Sequence, residues 1–141
     1  MKKTTTKQLA YGAITAAIYT VLTVAVAPIA SGAIQCRISE AMCVLPYFCP
    51  AAVPGLLVGC LLSNLIMGSM LLDIIFGSLA TLLAALCTCY LGKRNGSRWL
   101  APLPAVAFNA VIVGWVVNVL YSPELSYWLC AAYVGLSLIH I

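Results

Sequence analysis

Charged side chains are missing from most of this chain, and their spacing constrains the fold more than any motif does. Apart from His140, no ionisable acid or base of the Asp, Glu, Lys, Arg or His type occurs from Gln8 to Cys36, Ala41 to Leu72, Ile74 to Gly92, Trp99 to Pro123, or after Glu124. Only 7% of the 141 residues are charged and 64% are hydrophobic, with a mean hydropathy of +1.09, whereas a soluble domain is about a quarter charged. Seven basic and three acidic side chains cannot coat a globule of 14.9 kDa, so most of the outside must face lipid. A helix crossing a ~30 Å hydrocarbon core needs roughly 20 residues, which leaves room for about five or six spans and no soluble domain beside them.

The net charge of +4 does not indicate a nucleic-acid partner, because the basic residues are confined to three places. Lys2, Lys3 and Lys7 precede the first apolar run, Lys93, Arg94 and Arg98 occupy a short polar break, and Arg37 stands alone. Membrane topology accounts for that pattern. A cleaved signal peptide is the lesser alternative, since the apolar run after Lys7 exceeds a usual signal core and everything after it is membrane-like too. The seven cysteines are scattered through apolar segments with no histidine nearby, and Cys87 and Cys89 point about 200° apart on a helix. They read as small apolar packing residues, not as a zinc or disulfide framework.

The expected spans are 9–30, 34–48, 51–67, 70–91, 100–121 and 124–141. Pro46, Pro50 and Pro54 interrupt the second region, which is one long kinked span or two short ones. The positive-inside rule selects two: with a cytoplasmic amino terminus, four spans before Lys93 return the Lys93–Arg98 loop to the cytoplasm, so six of the seven basic residues lie inside. A tight turn at Cys49-Pro50 then joins spans two and three, and Ser122-Pro123-Glu124 starts span six with a serine cap and a proline in the first turn. Ser126–Ile141 gives roughly 24 Å of helix, short of a full crossing, so the last helix is expected to be truncated. Its closing Leu136–Ile141 resembles a translated library adapter, and His140 is not read as a ligand or base.

With this topology the polar residues gather toward the outer leaflet. Arg37 and Glu40 open span two, Asn64 closes span three, Asp73 opens span four, Asn118 and Tyr121 close span five, and Glu124 and Trp128 open span six. Ionisable groups at membrane depth cost about 2.5–3.5 kcal/mol each on insertion scales and usually line a solute path. The convergence therefore suggests an outward-facing pocket. Each residue also has a plainer reading. Arg37 and Glu40, three apart, can pair with each other; Glu124 can serve the helix dipole; Asn64 and Asn118 can join helices; Tyr127 and Trp128 can belong to an interfacial belt. Asp73 has no basic neighbour in sequence. Asn109 lies about 180° from Asn118 on an ideal helix, so only one faces a common pocket, and Asn118, beside Trp115, is the expected one.

Small residues four apart, Gly12 with Ala16 and Ala13 with Ala17, mark the first helix, and Gly77, Ala80 and Ala84 continue a stripe from Asp73. Such stripes allow close helix approach. The fourth helix is expected to turn its stripe inward; the first has no polar guide, so its smooth face packs internally or docks another protein. No phosphate loop, His-Glu-x-x-His or nucleophile elbow occurs, and neither a cofactor nor an energy-coupling motif is implied.

Three segments carry a family resemblance: Ile34-Gln35-Cys36-Arg37-Ile38-Ser39-Glu40-Ala41 with Leu45-Pro46; Pro54-Gly55-Leu56 with Gly59-Cys60-Leu61-Leu62-Ser63-Asn64; and Leu72-Asp73-Ile74-Ile75-Phe76-Gly77-Ser78-Leu79-Ala80-Thr81-Leu82. Over about Leu9–Tyr133 the chain resembles the QueT family, membrane-embedded substrate-binding (S) components of energy-coupling factor (ECF) transporters assigned to queuosine-precursor uptake. The resemblance implies a six-helix S-component bundle in a bacterial membrane, with a pocket open to the outside. It also implies an Ala13-x-x-x-Ala17 surface for the transmembrane coupling protein, and two cytoplasmic ATPases that drive toppling and release.

The ligand chemistry is consistent with the residues. A deazaguanine presents ring N–H and amine donors, a carbonyl acceptor and two flat faces; carboxylates accept the donors, Asn or Arg donates to the carbonyl, and Trp or Tyr stacks. Arg37, Glu40, Asp73, Asn118 and Trp128 supply those types, and Glu124 suits an aminomethyl cation. An S component for another vitamin-like solute, or a structural subunit whose polar residues only join helices, stays open beside this reading. A membrane enzyme is disfavoured, because no acid, base and nucleophile set is evident.

Overall fold

A computed structural model describes residues 6–30, 38–94, 97–120 and 123–140. The chain runs through α1 (Thr6–Ala30), a 3-10 helix (Ile38–Tyr47), α2 (Ala52–Ile66), α3 (Leu71–Lys93), α4 (Leu103–Leu120) and α5 (Tyr127–His140), with a single 3-10 turn at Arg98–Leu100 and a π stretch at Asn109–Val113 inside α4. By length and composition three helices can cross a membrane: Thr6–Val26, Leu71–Lys93 and Leu103–Leu120; Ala52–Ile66 and Tyr127–His140 are shorter and apolar. With the 3-10 segment these make the expected six-segment all-α bundle. Helix α3 is central, packing on α2, the 3-10 helix and α4, and 44% of its span is enclosed against 28% for α1 and 33% for α4.

The bundle is no more apolar inside than outside. Helix α1 turns Tyr11, Ile14, Ile18 and Val21 outward while burying Thr15, Ala16, Tyr19 and Thr23. Among the largest fully buried side chains Leu56, Val116 and Val117 stand with Tyr19, Asn64, Thr81, Thr88 and Asp73. In water that distribution would waste the hydrophobic effect; in lipid, helices associate through close packing and internal polar contacts, so it is the stable arrangement. Hydroxyls of Thr15, Thr20 and Thr23 donate to the carbonyls of Tyr11, Ala16 and Tyr19 one turn earlier at 2.8–2.9 Å, which satisfies them without a partner helix.

Helices α1 and α2 meet backbone to backbone. A Cβ on Gly55 would run into the Gly12 carbonyl, and one on Gly59 would lie 3.0 Å from the Ala16 carbonyl and 2.9 Å from Tyr19 Cβ. Gly12 and Ala16 are thus spent on this internal seam, while Ala13 and Ala17 on the adjacent stripe stay exposed. The two small-residue pairs of the first helix have separate uses. Contrary to expectation, this helix has a polar guide: Thr15, Tyr19 and Thr23, four apart, are all buried.

The second span is a 3-10 helix over 38–47, not an α-helix over 34–48; its first expected residues lie outside the described ones. Ten 3-10 residues reach about 20 Å, against ~15 Å as α-helix, and residues three apart eclipse. Glu40, Cys43 and Pro46 therefore form one buried stripe that an α-helical twist would splay. The turn after it closes through Cys49 N to Leu45 O (2.9 Å) and Ala52 N to Cys49 O (3.0 Å). Pro54 falls in the first turn of α2, where its missing N–H is no loss.

Helix α2 ends in a Schellman motif: Gly68 has φ 65°, Ser69 N donates to Asn64 O (3.0 Å) and Gly68 N to Leu65 O (3.2 Å). At the opposite end a Cβ on Gly92 would strike the Tyr47 carbonyl, and the Ala51 carbonyl lies 3.3 Å from a Cβ on Gly12. The Cys49-Pro50 turn, the start of α1 with Lys7, and the end of α3 with Lys93 and Arg94 thus share one end of the bundle. The sixth helix starts at Tyr127 rather than Glu124, with Pro123 and Glu124 in a turn. The Ser126 carbonyl receives its first helical bond from Cys130 N (3.2 Å), so the chain needs those residues to turn before the helix begins.

Candidate functional site

Glu40 is the polar centre of the bundle. It is 5% exposed, and its carboxylate accepts from Tyr19 Oη at Oε1 (3.2 Å), and from Asn109 Nδ2 (3.0 Å) and Cys43 Sγ (3.4 Å) at Oε2. Three segments converge here: α1 brings Tyr19, the 3-10 helix brings Glu40 and Cys43, and α4 brings Asn109. Ser39, next to Glu40, donates to Thr23 Oγ1 at 2.7 Å, the Thr23 hydrogen being given to the Tyr19 carbonyl. A lone carboxylate in so dry a place costs several kcal/mol, and such donors offset much of that. A cavity of about 130 Å³ opens beside it, with Ala41, Val44, Pro102, Ala105, Val106 and Leu138 as apolar walls.

A second polar group ties α2 to α3. Cys60 Sγ accepts from Asn64 Nδ2 (3.6 Å) and lies 3.5 Å from Thr81 Oγ1, whose hydrogen goes to Gly77 O at 3.0 Å. Asn64 is fully buried and Asp73 is 1% exposed; they lie in the last turn of α2 and the first of α3, on either side of the Gly68 turn. As expected, Asp73, Gly77, Ala80 and Ala84 face the interior together. Cys43, Cys60, Cys89 and Cys130 are buried free thiols that fill the core clusters, and Cys60 serves as a polar junction as well.

Of the expected site residues, Glu40, Asn64 and Asp73 are buried, and Arg37 lies outside the described residues. Asn118 is half-buried and donates through Nδ2 to the Leu125 carbonyl, tying α4 to the turn before α5. Glu124 is exposed, and Trp128 is 78% exposed with its ring edge-on to Tyr127. Trp115, half-exposed, packs edge-on to Phe76 at 5.4 Å. Exposed Ala13 borders a groove of about 430 Å³ between the start of α1 and the start of α2, floored by Gly12, Ala16 and Gly55 and walled by Leu9, Pro50, Pro54 and Val58. Ala17 follows one turn on, also exposed.

Asn109 and Tyr19 are the residues the sequence reading passed over. Choosing Asn118 over Asn109 assumed a uniform α-helix. The π stretch Asn109–Val113 absorbs an extra residue, which reduces their angular separation from about 180° to roughly 80°. The two amides thereby come toward one side of the helix, and Asn109, the buried one, reaches Glu40. Tyr19 was legible as the middle of the hydroxyl stripe with Thr15 and Thr23.

A bundle that shows lipid its apolar side chains and gathers carboxylates and amides inside defines a multi-pass membrane protein organised around an internal polar site. Among the described residues no group of His, Cys, Asp and Glu is arranged to hold a metal ion. The chain belongs to the QueT transporter family, whose profile matches residues 9–141. No curated protein and no solved structure matches it significantly.

Proposed function

We propose that this protein is the substrate-binding S component of an ECF importer, taking a queuosine precursor, a deazaguanine base, from the outer face of a bacterial membrane with its amino terminus in the cytoplasm. The observation that carries the reading is the buried Glu40 carboxylate, held by donors from two other helices in a chain of a transporter family. A carboxylate so placed suits the N–H donors of a guanine-type edge. Asn64 and Asp73 add acceptors toward the outer end; Arg37, Asn118, Glu124 and Trp128 supply a donor, a loop tether, a second acidic group and a stacking face near the mouth. No residue here acts as a catalyst.

The exposed Ala13 and Ala17 face, with the apolar groove beside it, supports docking of the transmembrane coupling protein, which two cytoplasmic ATPases drive. The gathering of Lys7, Lys93 and Arg94 at that end agrees with its being cytoplasmic. The test is uptake of labelled deazaguanines in a bacterial strain unable to make queuosine and supplied with the coupling module. Restored, ATP-dependent accumulation is expected. A folded protein that restores no uptake and binds no deazaguanine would replace this reading with that of a structural subunit; accumulation of a different vitamin-like solute would change the substrate alone.

A further inference from the structure

The Asn109 amide has one orientation open to it. Its neighbour Glu40 accepts hydrogen bonds and cannot donate when ionised, so the Nδ2 end must face Oε2, as it does at 3.0 Å. The Oδ1 end is then turned away, and although Asn109 is only 2% exposed this oxygen receives no hydrogen bond. Buried amide oxygens are rarely left so, because an unmet acceptor costs free energy that an apolar side chain of the same size would not. A second feature coincides with the first. Asn109 opens the π stretch of α4, a distortion that is uncommon in helices and frequent at functional sites, and it is this distortion that turns the helix inward.

The same imbalance appears in the wider interior. Asn64 Oδ1 is also buried without a donor, Glu40 and Asp73 are buried carboxylates, and no buried Lys, Arg or His accompanies them among the described residues. Two buried amide oxygens, of Asn64 and Asn109, thus lack the N–H donor that each can accept.

We infer that Asn109 is a specificity-determining residue of the site: Nδ2 fixes the Glu40 carboxylate, and Oδ1 accepts one N–H donor of the bound base. The inference rests on the proposed function, since it needs a base bound next to Glu40. It separates Asn109 from Tyr19, which only holds Glu40 and reads no ligand atom.

The experiment is a ligand-by-variant cycle on the full chain in detergent, read by calorimetry or tryptophan fluorescence. The probes are 7-deazaguanine, its analogue without the exocyclic amine, and its analogues N-methylated at the pyrrole nitrogen or at ring N1; the variants are Asn109→Leu, Asn109→Ser and Tyr19→Phe. Losing the Nδ2 bond to Glu40 should weaken every probe by a modest common factor, as Tyr19→Phe does, and losing the Oδ1 acceptor should weaken 7-deazaguanine about tenfold more than it weakens the one analogue that already lacks the donor Oδ1 accepts. Tyr19→Phe should weaken all the probes by the same factor. Leu and Ser differ in size and polarity, so a melting curve picks whichever variant keeps the fold. If wild-type protein binds none of the probes, the proposed function and this inference both fall. If wild type binds but both Asn109 variants, or the folded one, weaken every probe equally, Asn109 is structural and the inference alone is overturned.

Discussion

The α1–α2 seam and the Glu40 centre both draw on α1, through Gly12 and Ala16 and through Tyr19, yet they are built on opposite rules. At the seam Gly12 and Ala16 of α1 meet Gly55 and Gly59 of α2, and neither α2 glycine has room for a Cβ. At the centre, one turn on, the groups are large and polar and some of their hydrogen-bonding capacity is unmet, as at Asn109 Oδ1. The first region joins two helices by close packing; the second keeps a buried acceptor without a donor. In a membrane, where small residues drive association and buried polar groups are expensive, a completed seam can supply the stability that an incomplete polar centre withholds. Substitutions should therefore separate the two regions cleanly, the seam through folding and the centre through ligand affinity.

The largest effect is expected at the seam. Gly55→Leu forces a side chain into the Gly12 carbonyl, and backbone cannot give way as a side-chain tip can. The outcome is a loss of about 3–5 kcal/mol or no folded protein, measured by fluorescence-detected size exclusion and melting in detergent. A Gly55→Leu protein that melts like wild type would mean that α1 and α2 do not meet backbone to backbone.

Next comes Glu40→Gln, an isosteric change at the centre. The new amide keeps its oxygen toward Asn109 Nδ2 and Cys43 while its nitrogen donates to Tyr19 Oη. The contacts survive, but the negative charge and one acceptor for the ligand's N–H groups are gone. Affinity for a deazaguanine should fall about 100-fold, roughly 2.7 kcal/mol, with melting changed far less than by Gly55→Leu. Equal damage to melting and binding would make Glu40 a packing element like the seam. Tyr19→Phe should do less, since it removes one 3.2 Å bond and leaves the ring in place: about 1 kcal/mol, or near fivefold in affinity.

The contrast between these regions also explains what was legible from the residues. Charge spacing and the prolines were enough for six helical segments, because a lipid environment leaves few ways to place long uncharged runs. The stripe from Asp73 to Ala84 was legible for the same reason, a straight helix with a regular period. What escaped the residues was local backbone geometry. The 3-10 period of Ile38–Tyr47 puts Glu40, Cys43 and Pro46 on one line, and the π stretch of α4 exchanges Asn118 for Asn109 as the deep amide. Both departures change an angle per residue, and side-chain identities do not encode that angle until neighbouring helices impose it.

The smallest effect on the isolated chain is expected from the stripe next to the seam. Ala13 and Ala17 sit four apart, like Gly12 and Ala16, and one residue's rotation separates the two pairs: one is buried on α2 and the other exposed. Ala17→Leu adds an apolar side chain to a face that in the isolated chain meets only lipid or detergent, so melting should move by no more than about 0.5 kcal/mol equivalent and deazaguanine binding should not change. A leucine on a surface that must accept another helix closely is different, because close approach depends on the absence of bulk. ATP-driven uptake should then fall sharply although the chain folds and binds normally. Ala16→Leu makes the control, with the same chemistry one residue away, and it should fail in folding instead. If Ala17→Leu transports like wild type, the exposed stripe is only a lipid-facing surface, and the contact with the coupling protein must be sought elsewhere on the bundle.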